Sequence, residues 1–146
     1  MNNDAIPTLR QIAAECICLN TQRAARTVAR RYDAAFRPIG LTSGQFSILA
    51  GLNQQQPVAL GVLAGALGLE RTTLTRNLAP LEAGGLIRSQ AGEDRRARGI
   101  LLTAAGQEKL RIAVPLWRSA QEAAQQALQS TPWSDAQRAL AMLAAD

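Results

Sequence analysis

"ERTTLTRNLAPLEAGGLIRSQAGEDRRARGILLT", residues 70–103, is the stretch whose reading decides the fold. Leu74, Leu78 and Leu81 recur at i, i+4 and i+7, the spacing of one buried helical face, and Gly84 with Gly85 supplies a helix stop. Beyond the glycines, "LIRSQ" (86–90) and "RGILLT" (98–103) alternate apolar and polar residues on either side of the charged turn "GEDRRARG" (92–99). That pattern predicts two antiparallel strands of a hairpin. Upstream, "VALGVLAGALGL" (58–69) reads as a short helix closed near Gly68. Two short helices joined by a tight turn form a helix-turn-helix signal, and a hairpin directly after it makes a winged helix.

Working outward, "LTSGQFSILAGL" (41–52) begins a helix over 43–55, with Thr42 or Ser43 as N-cap. Residues 7–36 read as one long helix, with Pro7 tolerated in its first turn and Pro38 ending it. On a helical wheel Ala14, Cys18, Thr21, Ala25, Val28, Ala29, Tyr32 and Phe36 share an apolar face, while Arg23, Arg26, Arg30 and Arg37 line a basic one. "TAAGQEKLRIAVPLWRSAQEAAQQAL" (103–128) supplies a second long helix, kinked at Pro115, and 134–145 a last one. The expected fold class is therefore mainly α: a winged helix-turn-helix with a two-stranded wing, flanked by N- and C-terminal helices suited to dimerisation. Pro80 lies inside the second helix of the motif and clashes with the carbonyl of Arg76, so a bend or an early end is expected there.

Composition removes whole classes of function. The chain has no histidine, which takes away the commonest general base and metal ligand, and its two cysteines cannot complete a zinc site. No catalytic residue, metal or cofactor is expected. No run approaches the length of a membrane span, and the start "MNNDAIPTLR" has no basic segment followed by an apolar one, so a cytoplasmic protein is expected. Cys16 and Cys18 stand two apart in what reads as one helix and point away from each other, which excludes a bridge within it. All of the basic residues except Lys109 are arginine, the side chain suited to bidentate contact with phosphate and guanine.

In "LTSGQFSIL" (41–49), "VLAGALGLERTTLTRNLAPLEAGGLIRS" (62–89), "EDRRAR" (93–98) and "LLTAAGQ" (101–107) the chain resembles the MarR family of bacterial transcription regulators. The most specific part is Asp94 and Arg96 with the following Leu-Thr and Gly, and the order of elements matches over nearly the whole chain. The resemblance implies a homodimer in which the first and last helices (1–37 and 104–146) interlock, while each winged helix (38–103) meets one half of a palindromic site in double-stranded DNA. Residues alone point the same way: Arg71, Thr72, Thr75 and Arg76 fall outside the leucine face and are assigned to the major groove. Thr73 is assigned to capping or phosphate contact. By resemblance Arg96 enters the minor groove and Asp94 orients it, with Arg95 and Arg98 on phosphates or bracing the hairpin. The resemblance is broken at position 61, a glycine where a small polar cap residue is common.

Family members lose DNA affinity on binding small anionic or phenolic aromatics. Such a pocket here would draw on Arg23, Arg26 or Arg30 for a carboxylate and on Tyr32 and Phe46 for apolar contact. A second switch is a thiol, because one branch of the family, the organic-hydroperoxide sensors, oxidises a cysteine near the position of Cys18. The tyrosines that branch uses are absent from "LTSGQF" (41–46), Cys18 is expected to be buried on the apolar face, and Cys16 falls on the side of Leu9 and Ile12. Two further classes stand beside these: an architectural winged helix that reads no sequence, and a small cysteine enzyme.

Overall fold

A computed structural model describes residues 6–91 and 98–145. Among these, seven α-helices and a three-stranded sheet follow in the order α1, α2, α3, β1, α4, α5, β2, β3, α6, α7.

The chain opens with a correction. The expected single helix is two, α1 (Leu9–Glu15) and α2 (Ile17–Phe36), because Cys16 is extended at φ −77°, ψ 110°. The local chemistry makes a second start as good as continuation. The Cys16 sulfur accepts the Leu19 N–H at 3.4 Å, and Asn20 Nδ2 donates to the carbonyls of Ala13 (2.8 Å) and Cys16 (3.0 Å) across the break. Cysteine and isoleucine are also weak helix formers, so little is lost by stopping there. The expected apolar face is covered only at its C-terminal end. Phe36 is fully buried and Ala29 and Tyr32 half-buried, whereas Ala14, Cys18, Thr21, Ala25 and Val28 are exposed.

Four of the five aromatic residues tie α2 to its neighbours. Phe36 stacks on Phe46 of α3 (Ser43–Gly51) with centroids 4.8 Å apart, Phe46 on Trp117 of α6 at 6.3 Å, and Tyr32 leans on Phe36 at 6.4 Å. Thr42 caps α3 through a complete capping box with Gln45, and the Asp33 carboxylate accepts the Ser43 N–H at 2.6 Å. α3 stops at Gly51, short of the expected end.

The winged unit forms as read, with one more strand. β1 (Val58–Ala59) pairs antiparallel with β3 (Arg98–Leu102), which also pairs with β2 (Ile87–Ala91), giving the order β1-β3-β2 rather than a two-stranded wing. Gly99 permits this, because a Cβ there would fall 2.6 Å from Cβ of Pro57. α4 (Leu60–Leu67) ends on Gly68 at φ 62°, and α5 (Arg71–Ala83) runs through Pro80 without ending early. Pro80 costs only the bond to the Arg76 carbonyl, within a turn of the C-terminus. Leu74, Leu78 and Leu81 are buried, joined by Ile48, Leu49, Leu52, Leu63, Ile87 and Ile100 in one core.

α6 (Ala104–Gln126) starts at the root of the wing. The Thr103 hydroxyl accepts the Gly106 N–H and donates to the Gly85 carbonyl at 2.6 Å, and the Thr103 N–H donates to the Leu86 carbonyl. Pro115 lies inside α6, which continues past it to Gln126, and α7 (Trp133–Ala144) follows.

Candidate nucleic-acid interface

α5 presents the face read from its sequence. With the three leucines turned inward, Arg71, Thr72, Thr75 and Arg76 are exposed and Thr73 is half-buried at the edge of the core. The Thr75 hydroxyl donates to the Arg71 carbonyl at 2.8 Å, which leaves its oxygen able to accept a second bond. A carboxylate oxygen of Glu82, one turn beyond Leu78, accepts the Ser89 N–H of β2 at 2.9 Å, so the edge of the wing is fastened to α5.

No ion pair among the described residues is formed by the arginines on this side. Among the described residues the ion pairs are Arg111–Glu108 and Arg138–Asp135, both on the terminal helices, while Arg71, Arg76 and Arg88 have no acidic partner. Arg88, exposed on β2 opposite Leu101, is a cation that reading by motif passed over. Its signal was only its place in a strand that alternates. The wing assignments Asp94, Arg95 and Arg96 lie outside the described residues. Of Arg98, the described part is its backbone, which pairs with Ala91.

The expected ligand residues do not come together. Tyr32 lines a cavity of about 380 Å³ with Val28, Gln121, Trp133, Leu140 and Leu143, and its hydroxyl bonds the Gln121 side chain. Burial pushes the Tyr32 phenol above its ordinary pKa. Arg23 and Arg26 instead line an open groove of about 580 Å³ at the α1–α2 elbow, with Leu9, Arg10, Ala13 and Leu19. Arg30 donates to the Thr27 hydroxyl, and Phe46 is held between Phe36 and Trp117. Tyr32 thus lines one space and Arg23 with Arg26 another, because the basic and apolar faces of α2 look in different directions.

The cysteines also differ from expectation. Cys18 is exposed, its sulfur accepting from Gln22 Nε2 at 3.4 Å, and Cys16 is the half-buried cap of α2. Among the described residues no group of three His, Cys, Asp or Glu could hold a metal, and no helix is long and apolar enough to cross a membrane.

Comparison with known proteins agrees with this geometry. Residues 41–97 match the model of the MarR family. The chain is 31% identical over 87 residues to the uncharacterized HTH-type transcriptional regulator YwoH of Bacillus subtilis (strain 168), a match spanning 60% of this chain and 64% of that protein's length. It is 44% identical to the transcriptional regulator MosR of M. tuberculosis, solved in complex with DNA, with a TM-score of 0.80 over 89% of this chain and 94% of that one. The repressor CouR, bound to a 23-mer DNA duplex, is 25% identical with a TM-score of 0.74, over 95% and 97% of the two chains. With an exposed α5 face braced by a winged sheet and near-complete coverage of a 44% identical regulator, the chain belongs to the MarR family of transcriptional regulators.

Proposed function

We propose that the protein is a sequence-specific DNA-binding regulator that acts as a homodimer, placing α5 of each copy in successive major grooves of a pseudopalindromic site. The observation that carries this is the α5 face itself: Thr72, Thr75 and Arg76 exposed together, without an acidic partner among the described residues, on a helix fixed by three buried leucines. Arg76 can hold guanine O6 and N7 together, and the Thr75 methyl can pack on a thymine methyl. The wing carries Arg95, Arg96 and Arg98 toward the flanking backbone and minor groove, with Asp94 presetting Arg96. Two recognition helices about 34 Å apart define the half-site spacing. The complex of the 44% identical MosR with DNA supports this reading.

The test is a mobility-shift titration comparing a duplex selected from a random pool with an unselected one. A preference of at least about a thousandfold is expected for a specific reader, and a ratio near one would favour an architectural role. Arg96→Ala is expected to abolish binding to the selected duplex while leaving the protein folded; unchanged affinity sinks the wing assignment.

Control by a small molecule is part of the same reading. The Tyr32 cavity, apolar but for Tyr32, Gln121 and Gln125, suits a neutral aromatic or phenol, and the Arg10–Arg23–Arg26 groove suits an anion.

A second reading, control by thiol oxidation, is favoured by one observation: the helix breaks at Cys16, and Cys18 beside it is exposed. A peroxide would oxidise one thiolate to a sulfenic acid, releasing water or an alcohol. Mass spectrometry after mild peroxide, paired with the same mobility shift, separates the two readings: an unmodified chain that still binds DNA removes the thiol.

A further inference from the structure

We propose that Arg71 holds a DNA phosphate rather than reading a base, and that Gly61 is the positioning residue that seats it there. The inference rests on the DNA-binding reading above and assigns a division of labour within it.

Arg71 is the first residue of α5, yet its side chain leaves that helix and lies back over the first turn of α4. A Cβ built on Gly61 would fall 2.5 Å from Nη2, 3.3 Å from Cζ and 3.4 Å from Nε of Arg71. The guanidinium group, Nη2 foremost, therefore occupies the space that a side chain at residue 61 would fill. The seat exists only because residue 61 has no side chain: any Cβ would occupy it and push the guanidinium off. This is the chemical content of the glycine at 61, a position where the family resemblance implies a small polar residue.

The place of the seat sets the role. In a helix-turn-helix the second helix enters the major groove, while the first crosses the sugar-phosphate backbone. A guanidinium laid on α4 is therefore carried to the rim of the groove, away from the Thr72, Thr75 and Arg76 face. It has no acidic partner among the described residues, so its fork of donors is available to a phosphate, whose oxygens it matches in geometry.

Phosphate contact and base readout have different signatures. Losing a phosphate contact weakens binding alike on all sequences and flattens the dependence of log K on log salt by about 0.9 per contact; losing a base contact relaxes preference at one position. The experiment measures wild type, Arg71→Ala, Gly61→Ala and the double variant against the selected duplex and a random-sequence duplex of equal length, over a salt series. Arg71→Ala is expected to weaken both duplexes by the same factor, lower the salt slope and leave the selected consensus unchanged. Gly61→Ala should act in the same direction on both duplexes and add nothing in the Arg71→Ala background. Its thermal midpoint should not fall, since alanine favours helix over glycine, and this separates lost positioning from damage to the fold.

An Arg71→Ala loss confined to the selected duplex, with relaxed preference at one base pair, overturns the inference and leaves the DNA reading standing. So does a Gly61→Ala effect that persists undiminished without Arg71. A wild-type protein that binds neither duplex removes the DNA-binding reading, and the inference with it.

Discussion

Gly106→Ala tests how tightly α6 is set against the root of the wing. A Cβ at residue 106 would stand 2.0 Å from the Leu86 carbonyl oxygen, 3.0 Å from its carbon and 2.7 Å from Cδ1 of Leu102. The leucine methyl can rotate away, but the carbonyl is main chain, fixed by the Thr103 N–H at 3.1 Å and next to the Gly85 carbonyl that receives the Thr103 hydroxyl. Reaching ordinary contact requires the helix start and the strand root to part by more than about 1 Å. Overpacking of this kind costs about 1–3 kcal/mol, and the two Thr103 bonds it stretches contribute about 1 kcal/mol each. Alanine recovers about 1 kcal/mol of helix preference, so the net loss is about 3 kcal/mol. Urea unfolding followed by circular dichroism, at one fixed protein concentration, reads this as a lower midpoint at unchanged slope. Gly65→Ala is the matched control. Gly65 lies inside α4 with nothing within 4 Å of an added Cβ, so the same substitution should stabilise by about 0.5–1 kcal/mol. If the two variants shift the midpoint in the same direction, the steric reasoning is wrong.

Leu74→Ala removes a fully buried side chain from the contact of α5 with the core and is expected to cost about 2–5 kcal/mol in the same unfolding experiment. Thr42→Ala deletes the hydroxyl half of the α3 capping box, leaving the backbone N–H of residue 42 to the Gln45 side chain, and should cost about 1 kcal/mol, while Thr42→Ser should cost far less. Tyr32 is the only tyrosine, so ultraviolet titration of the phenol reports on it alone, with a midpoint above 10 in the folded protein and near 10 in urea. A phenol whose folded pKa is raised keeps its full contribution to stability below the unfolded value and loses it as pH rises through the folded one, so stability should decline above about pH 10 and Tyr32→Phe should remove that decline.

The winged unit was legible because its burial repeats. Leu74, Leu78 and Leu81 announce one face of α5, the alternation around residues 92–99 announces the hairpin, and the Thr42/Gln45 spacing announces the start of α3. Features that depend on a single local competition were not legible. The break at Cys16 turns on whether Asn20 satisfies carbonyls across a gap, which no periodicity encodes. β1 is two residues long, too short to show a period, and is made by a partner strand and by the room that Gly99 leaves for Pro57. The candidate ligand residues line separate spaces for a related reason. A helical wheel places Arg23, Arg26 and Tyr32 by angle alone, and says nothing of which other helices cover each sector.

The distribution of apolar surface bears on how the proposed dimer and the DNA-facing unit communicate. Every buried apolar residue among those described lies between Phe36 and Ala120, whereas α1 and α7 bury none. Leu9 is 73% exposed, Met142 69% and Leu143 56%. An isolated seven-residue helix is not stable in water, and exposed apolar side chains of this size suit the interface of the proposed homodimer. In the proposed homodimer the terminal helices therefore owe their order to the second copy, and the winged unit owes its order to its own core. α2 and α6 belong to both regions. α2 reaches α3 through the Asp33–Ser43 bond and the Phe36–Phe46 stack, and α6 reaches the wing through Thr103 and the close approach at Gly106. In the proposed dimer, a ligand or an oxidant acting near Cys16, Arg23 or Tyr32 would change the spacing of the two α5 helices by tilting α2 and α6, without disturbing the leucines that hold α5 in its own unit.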